Sequence, residues 1–224
     1  MKIVALMGSP REGSNTDTII DKVLEGAREA GAETKKFKVW HLNISPCQGC
    51  MSCRETGICE HYDDDLANLV TELGEADGLV LGAPVWGGFV PGQFKMVFDR
   101  LVGAVMSIQP SSEGVQVISR LPQKKRNGVS IAVCASPAKE MAEANIIFLN
   151  HFLQLHGNGG DIREIRAPGL GEYGQVRMDS DELEKRLEAM GMENPGIMAV
   201  QSEKINQDFL DRAYEVGENM VKEF

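Results

Sequence analysis

Four of the chain's five cysteines crowd into one stretch, Cys47, Cys50, Cys53 and Cys59, in the pattern C-x2-C-x2-C-x5-C. Thiolates two residues apart can curl round one compact centre, and sulfur is a soft ligand suited to iron or zinc. A zinc site made of four cysteines usually sets two pairs apart by a longer excursion. The crowding here favours an iron–sulfur centre. With no second cysteine set in the chain, Cys59 would have to close the same [4Fe–4S] cube. Metal-free thiols, acting in redox chemistry or lining a turn, are the second reading, and zinc is the third. Cys134 stands alone in an apolar run and reads as a small core residue.

A second stretch is rich in hydrogen-bond donors. Gly8-Ser9-Pro10-Arg11-Glu12-Gly13-Ser14-Asn15-Thr16 gathers the hydroxyls of Ser9, Ser14 and Thr16, the Asn15 amide and the Arg11 guanidinium just before an amphipathic segment. It is not a nucleoside triphosphate loop, because Ser14 stands where a lysine is needed. Nor is it a dinucleotide turn, because the G-x-G-x-x-G spacing is missing. A helix N-terminus leaves backbone N–H groups free and carries the positive end of the dipole, so this loop suits a phosphate dianion. Capping by Ser14 or Asn15 alone would not call for so many donors.

The elements that position these stretches alternate. Strand-length runs at Lys2–Met7, Thr34–Leu42, Gly78–Ala83, Val129–Ala135 and Asp161–Ala167, with Thr34–Leu42 alternating as a half-exposed strand, are separated by helical periodicity at Ser14–Ala30, Gly92–Val105 and Ala138–Leu155. A further helix starts near Asp63-Asp64-Asp65, whose carboxylates suit a cap and the helix dipole, and two more lie near Asp181–Met190 and Gln207–Lys222. Strand–helix alternation implies a parallel sheet covered on both faces, with five strands in the order 2-1-3-4-5. A ligand then lies beyond the carboxyl ends of the strands, among the loops Gly8–Thr16, Pro84–Pro91 and Ala135–Glu140. No linker splits residues 1–224, so one domain is expected, with the cysteine motif at 47–59 and a helical extension from about residue 169.

Composition narrows the classes of function. The chain has 224 residues and a formal net charge of −10, which disfavours nucleic acid, and Lys124-Lys125-Arg126 is its one basic cluster. No apolar run reaches the roughly 18–20 residues of a membrane span. Met1–Met7 runs into Gly8-Ser9-Pro10 without a cleavage site and reads as a strand, so a cytoplasmic protein is expected. His41, His61, His151 and His156 form no catalytic set, and no G-x-S-x-G elbow is present. Val105–Arg126 carries Met106, Ile108, Val115, Val117, Ile118 and Leu121 in an excursion that would leave an apolar patch on a monomer, so a homodimer or homotetramer is expected.

G-S-x-R-x-x-S-N-T after the first strand resembles the NADPH-dependent FMN reductase family of the flavodoxin-like superfamily. So does Pro84-Val85-Trp86-Gly87-Gly88, followed by Gly92-Gln93-Phe94-Lys95 and Asp99-Arg100. The cysteine run is similar to that of the iron–sulfur flavoproteins, a branch of the same superfamily. The resemblance implies FMN, its phosphate held by Ser9, Arg11, Ser14, Asn15 and Thr16. The flavin ring would be placed by Pro84, Val85, Trp86, Gly87 and Gly88, with Ser136 on the pyrimidine side. It also implies a [4Fe–4S] cluster on Cys47, Cys50, Cys53 and Cys59, and no catalytic side chain, because the flavin carries the chemistry. Electrons would pass between cluster and FMN, with NAD(P)H or another small-molecule or protein partner as donor or acceptor. A cluster-free NAD(P)H-dependent FMN or quinone reductase and a non-catalytic flavin-binding protein are the alternatives.

Overall fold

The computed structural model describes residues 1–224. The first strand, β1 (Lys2–Met7), leads through the donor-rich loop into α1 (Asn15–Glu29). β2 (Glu33–Lys38) is followed by a 3-10 turn over Val39–His41. The chain continues through α2 (Cys53–Thr56), α3 (Leu66–Glu75), β3 (Gly78–Pro84) and α4 (Gly92–Val105). An antiparallel hairpin of β4 (Met106–Ser111) and β5 (Gly114–Ser119) precedes β6 (Asn127–Val133), α5 (Glu143–Gly157) and β7 (Ile162–Ala167). Two helices follow, α6 (Ser180–Ala189) and α7 (Pro195–Lys222).

The five strands outside the hairpin form one parallel sheet in the order β2-β1-β3-β6-β7, which is the expected 2-1-3-4-5. The period-two geometry of a strand divides β1 between two cores. Ile3, Ala5 and Met7 join Ile19, Ile20 and Val23 of α1 on one face. Val4 and Leu6 join Leu69, Phe94, Leu101 and Phe152 from α3, α4 and α5 on the other. Helices on both faces explain why the central strands β1, β3 and β6 are buried almost throughout, whereas the edge strands β2 and β7 carry charged residues.

α7 is fastened to α1 by a pair of glycines. A Cβ on Gly26 would meet the Tyr214 carbonyl oxygen at 2.1 Å, and one on Gly217 would meet that of Val23 at 1.8 Å. The helices reach this separation only because neither residue has a side chain.

Four expectations shift. The strand over Thr34–Leu42 stops at Lys38, because Val39 turns into the core and coils the next residues into a 3-10 turn. The strand over Val129–Ala135 begins and ends two residues earlier, where Asn127 and Gly128 already pair with β3. The helix over Ala138–Leu155 opens as a 3-10 turn, Lys139–Ala142, and becomes α-helical at Glu143. The last helix starts at Pro195, well before Gln207, with the proline in the first turn where its missing N–H costs nothing. The Val105–Arg126 excursion contains the hairpin of β4 and β5. No helix is long and apolar enough to cross a membrane.

Candidate functional site

The loop after β1 is held tightly. Ser9, Ser14, Asn15 and Thr16 are all buried. Ser14 Oγ caps α1 by accepting from the Asp17 N–H at 3.3 Å, and Ser9 Oγ accepts from the Arg11 N–H at 3.3 Å. Each hydroxyl keeps its own proton to donate. The first N–H groups of α1 have no partner within the helix and point out of its N-terminus. Asp17 would place a carboxylate near a bound phosphate, but it accepts from the Gly13 N–H at 2.8 Å and pairs with Lys36 at 2.6 Å, which offsets its charge.

Asn15 has a different task from the one expected. Its Nδ2 donates to the carbonyls of Leu170, at 3.3 Å, and Glu172, at 2.8 Å, while its Oδ1 accepts from the Val176 N–H at 3.0 Å. Both amide donors are spent on the segment after β7, so the Asn15 side chain has no donor left for a phosphate and only its backbone N–H would remain. That segment closes on the same loop. Tyr173 OH donates to the Glu12 carbonyl, Arg177 Nη2 donates to the Gly13 carbonyl at 2.8 Å, and the Arg11 guanidinium lies 5.9 Å from the Tyr173 ring centroid. The sequence alone singles out neither Tyr173 nor Arg177, since nothing local announces a contact spanning some 160 positions.

The second loop begins where the Val85 N–H donates to Val133 O at 2.8 Å, extending the pairing of β3 with β6. Trp86 and Phe89 then exchange backbone hydrogen bonds of 2.8 and 3.1 Å around Gly87 and Gly88. The φ values of these glycines, 57° and 84°, are the positive pair that a type I′ turn requires. The turn carries Trp86 to the surface, 41% exposed, with its ring centroid 6.1 Å from that of Trp40. Trp40 Nε1–H donates to the Gly8 carbonyl at 3.0 Å, so this indole joins the first loop to the second. Sequence reading placed Trp40 in a strand and missed it. Pro84 accepts from Asn145 Nδ2 at 3.2 Å. In the third loop, Ser136 Oγ accepts from the Ala138 N–H at 3.2 Å and its carbonyl from the Gly169 N–H at 2.9 Å.

Cys47, Cys50, Cys53 and Cys59 are free thiols that line a single cavity of about 270 Å³. A Cβ at Gly103 of α4 would fall 2.1 Å from Cys53 Sγ, so that glycine makes the room Cys53 occupies. Burial pushes the Cys53 thiol up, whereas bonds from the Ser52 hydroxyl and backbone draw the exposed Cys50 thiol down. No group of three or more Cys, His, Asp or Glu side chains converges closely enough to hold a single metal ion. Four soft thiolate donors on one cavity are the donor set that a thiolate-ligated iron–sulfur centre uses.

The segment entering the cysteine run is pinned by a buried ion pair. Arg100 Nη1 lies 2.9 Å from Asp64 Oδ2, with side-chain exposures of 2% and 5%. Arg100 also donates to the Ser45 carbonyl at 2.7 Å, and Asp64 accepts from the Ser45 N–H at 3.1 Å, so both partners grip a residue close to Cys47. Burial alone would raise the Asp64 carboxyl. The bonds from Arg100 and from the N–H groups of Ser45 and Leu66 outweigh it and hold the carboxyl below its ordinary range. This corrects the capping role expected of the triple aspartate. Asp65 occupies the cap position of α3 but bonds the Asn43 N–H instead, and Asp64 serves the ion pair as well as the Leu66 N–H.

Residues 1–120 match the model of a family described as NADPH-dependent FMN reductase. The chain belongs to this family. It falls in the iron–sulfur flavoprotein branch. An iron–sulfur flavoprotein of Methanosarcina thermophila is 36% identical over 129 residues, covering 52% of this chain and 67% of the relative. One from Methanocaldococcus jannaschii is 29% identical over 174 residues, covering 77% of this chain and 84% of the relative. Family membership makes the protein a flavin-dependent oxidoreductase with FMN as its cofactor. The flavodoxin-like fold recurs in an NAD(P)H:quinone oxidoreductase from Methanothermobacter marburgensis, with a TM-score of 0.65, 17% identity and 98% coverage of both chains. It recurs again in an azoreductase from Bacillus anthracis, with a TM-score of 0.63, 14% identity and coverage of 98% of this chain and 99% of that one.

Proposed function

We propose that this oxidoreductase passes electrons between a [4Fe–4S] cluster held by Cys47, Cys50, Cys53 and Cys59 and FMN held by the loops after β1, β3 and β6. The observation that carries the reading is the placing of all four thiols on one cavity, in a family whose flavin loops lie on the same chain. FMN, when bound, supplies both one-electron and two-electron chemistry, and a thiolate-ligated cluster supplies one-electron transfer.

The chain's own residues do the positioning. Ser9, Ser14 and Thr16 offer hydroxyls, and Asn15 its backbone N–H, at the positive end of α1, with Arg11 adding a cation. Pro84, Val85, Gly87 and Gly88 set the turn that presents Trp86 at the ring's edge, and Ser136 faces the same space from the third loop. No side chain acts as an acid, base or nucleophile. NAD(P)H or a small redox protein serves as the electron partner. The exposed Ile108 and Val117 of the hairpin line one cavity with the exposed Met51 and Val102, and a second copy of the chain covers them in a homodimer or homotetramer. Residues 1–224 act as one domain.

Anaerobic reconstitution tests the reading. The protein should then contain about four irons and four sulfides beside one FMN, and Cys50→Ala should lose the iron while keeping the flavin. Stoichiometric FMN with iron near zero would replace this reading with a cluster-free NAD(P)H-dependent FMN or quinone reductase.

A further inference from the structure

The segment between β7 and α6 touches the phosphate loop more closely than a connection needs to. Three hydrogen bonds from the Asn15 side chain lash its backbone to the start of α1. From the other side, Asn206 of α7 donates to the Gln175 carbonyl at 2.8 Å, and Gln175 Nε2 donates to the Gly169 carbonyl at 2.9 Å. The segment is thus held between α1 and α7, and from that position it reaches back to two consecutive carbonyls of the first loop, Glu12 through Tyr173 and Gly13 through Arg177.

Those two carbonyls belong to the peptide planes on either side of Gly13, the one residue of the loop with a positive φ. Gly13 has a φ of 63°, and a glycine loses more freedom on being ordered than any other residue. Tyr173 fixes the Glu12–Gly13 plane by its carbonyl while Asp17 fixes the same plane by its N–H. Arg177 fixes the next plane by its carbonyl. In a chain of net charge −10, Arg177 also brings a second guanidinium, beside Arg11, to the loop meant for a dianion.

We propose that residues 169–177 form a strap belonging to the FMN site. In it Asn15, Tyr173 and Arg177 are positioning residues that hold the first loop in its phosphate-accepting shape before the cofactor arrives. The proposal rests on the reading that this loop binds the FMN phosphate. A loop ordered in advance spares the ligand the entropy of ordering it. Release of FMN is slowed by the same contacts, and the C-terminal helices are thereby coupled to the cofactor. Riboflavin has the same ring without the phosphate, so its binding does not depend on the strap.

The test compares FMN and riboflavin binding to flavin-free protein by fluorescence titration, with stopped-flow measurement of FMN dissociation. Tyr173 and Arg177 are exposed, so the pair Tyr173→Phe and Arg177→Ala leaves the cores intact. The paired variant should bind FMN about tenfold more weakly and release it faster, the loss expected when one loop residue must be ordered by the ligand. Its riboflavin affinity should be unchanged, and Arg177→Lys should recover part of the loss. Asn15→Ala should act in the same direction, and the exposed pair decides the matter if that variant does not fold. Unchanged FMN affinity, or equal weakening of both flavins, would overturn the strap. If the unaltered protein binds FMN and riboflavin equally well, the phosphate assignment of the loop fails and the strap falls with it. If it prefers FMN and the paired variant keeps that preference, the strap alone is wrong.

Discussion

Ser14 performs two tasks with one oxygen. It accepts from the Asp17 N–H as the cap of α1, and its proton is free to face a phosphate. Ser14→Ala should therefore cost about 1 kcal/mol of stability as a lost cap. It should also weaken FMN binding by roughly 1–3 kcal/mol as a lost hydrogen bond to a charged group. Urea unfolding of the flavin-free protein gives the first quantity and fluorescence titration the second. A loss confined to stability would reduce Ser14 to a cap. The cysteines divide similarly by surroundings: Cys50 is exposed with its thiol drawn down by Ser52, whereas Cys53 is sunk against Gly103 with its thiol pushed up. Residue type and spacing set all four apart in the sequence, and the structure places them on one cavity. Asn15 was misread because an amide at a helix start serves a phosphate or a distant carbonyl equally well.

Among the elements, α4 links the cysteine run to the rest of the fold. It supplies Arg100 for the buried pair with Asp64 and Gly103 for the space beside Cys53. Asp64→Ala leaves an unpaired guanidinium in the interior and should destabilise the protein by about 3–5 kcal/mol. Replacing both partners by apolar residues should cost less, because no buried charge is then stranded. Urea denaturation of the single and double variants measures the difference, and equal losses would show that the pair does not act as a unit. The periodicity of the sequence located the helices and strands of the sheet, and the Asp99-Arg100 signature was visible. Its partner was not, since the pairing depends on how α4 crosses the segment before α3.

For the molecule as a whole, His156 lies at a joint. It is buried at the end of α5, with Nδ1 2.7 Å from the Ser119 hydroxyl of the hairpin and Nε2 without a partner. Arg126 beside it spends its guanidinium on the carbonyls of Gly74, Ala76, Pro122, Lys124 and His156 itself. Burial, with the Arg126 charge adding to it, lowers the His156 pKa from 6.5 to about 4. Between these values the unfolded chain binds a proton that the folded chain refuses. The contribution is complete above pH 6.5 and is lost as the pH falls towards 4. His156→Gln should remove a slope worth a few kcal/mol over that window, read from thermal unfolding at pH 7 and pH 4.5. An identical pH dependence in both proteins would refute it. At the same scale, light scattering should give a mass that is a multiple of the 24.5 kDa chain, and a monomer would reject the proposed assembly through the hairpin face.

What the sequence determined by itself is what local chemistry and period can encode. The order of the parallel sheet followed from alternating strands and helices, and the family from the motifs that follow β1 and β3. Tertiary structure alone decided which distant residues meet. Trp40 meets Trp86, Arg100 finds Asp64, and residues 169–177 close on the first loop. The close approach of α1 and α7 through Gly26 and Gly217 lays α7 along α1, and Asn206 of α7 reaches the Gln175 carbonyl. Such contacts join positions far apart in the chain, and their geometry is set by helix packing rather than by any pattern local to either partner.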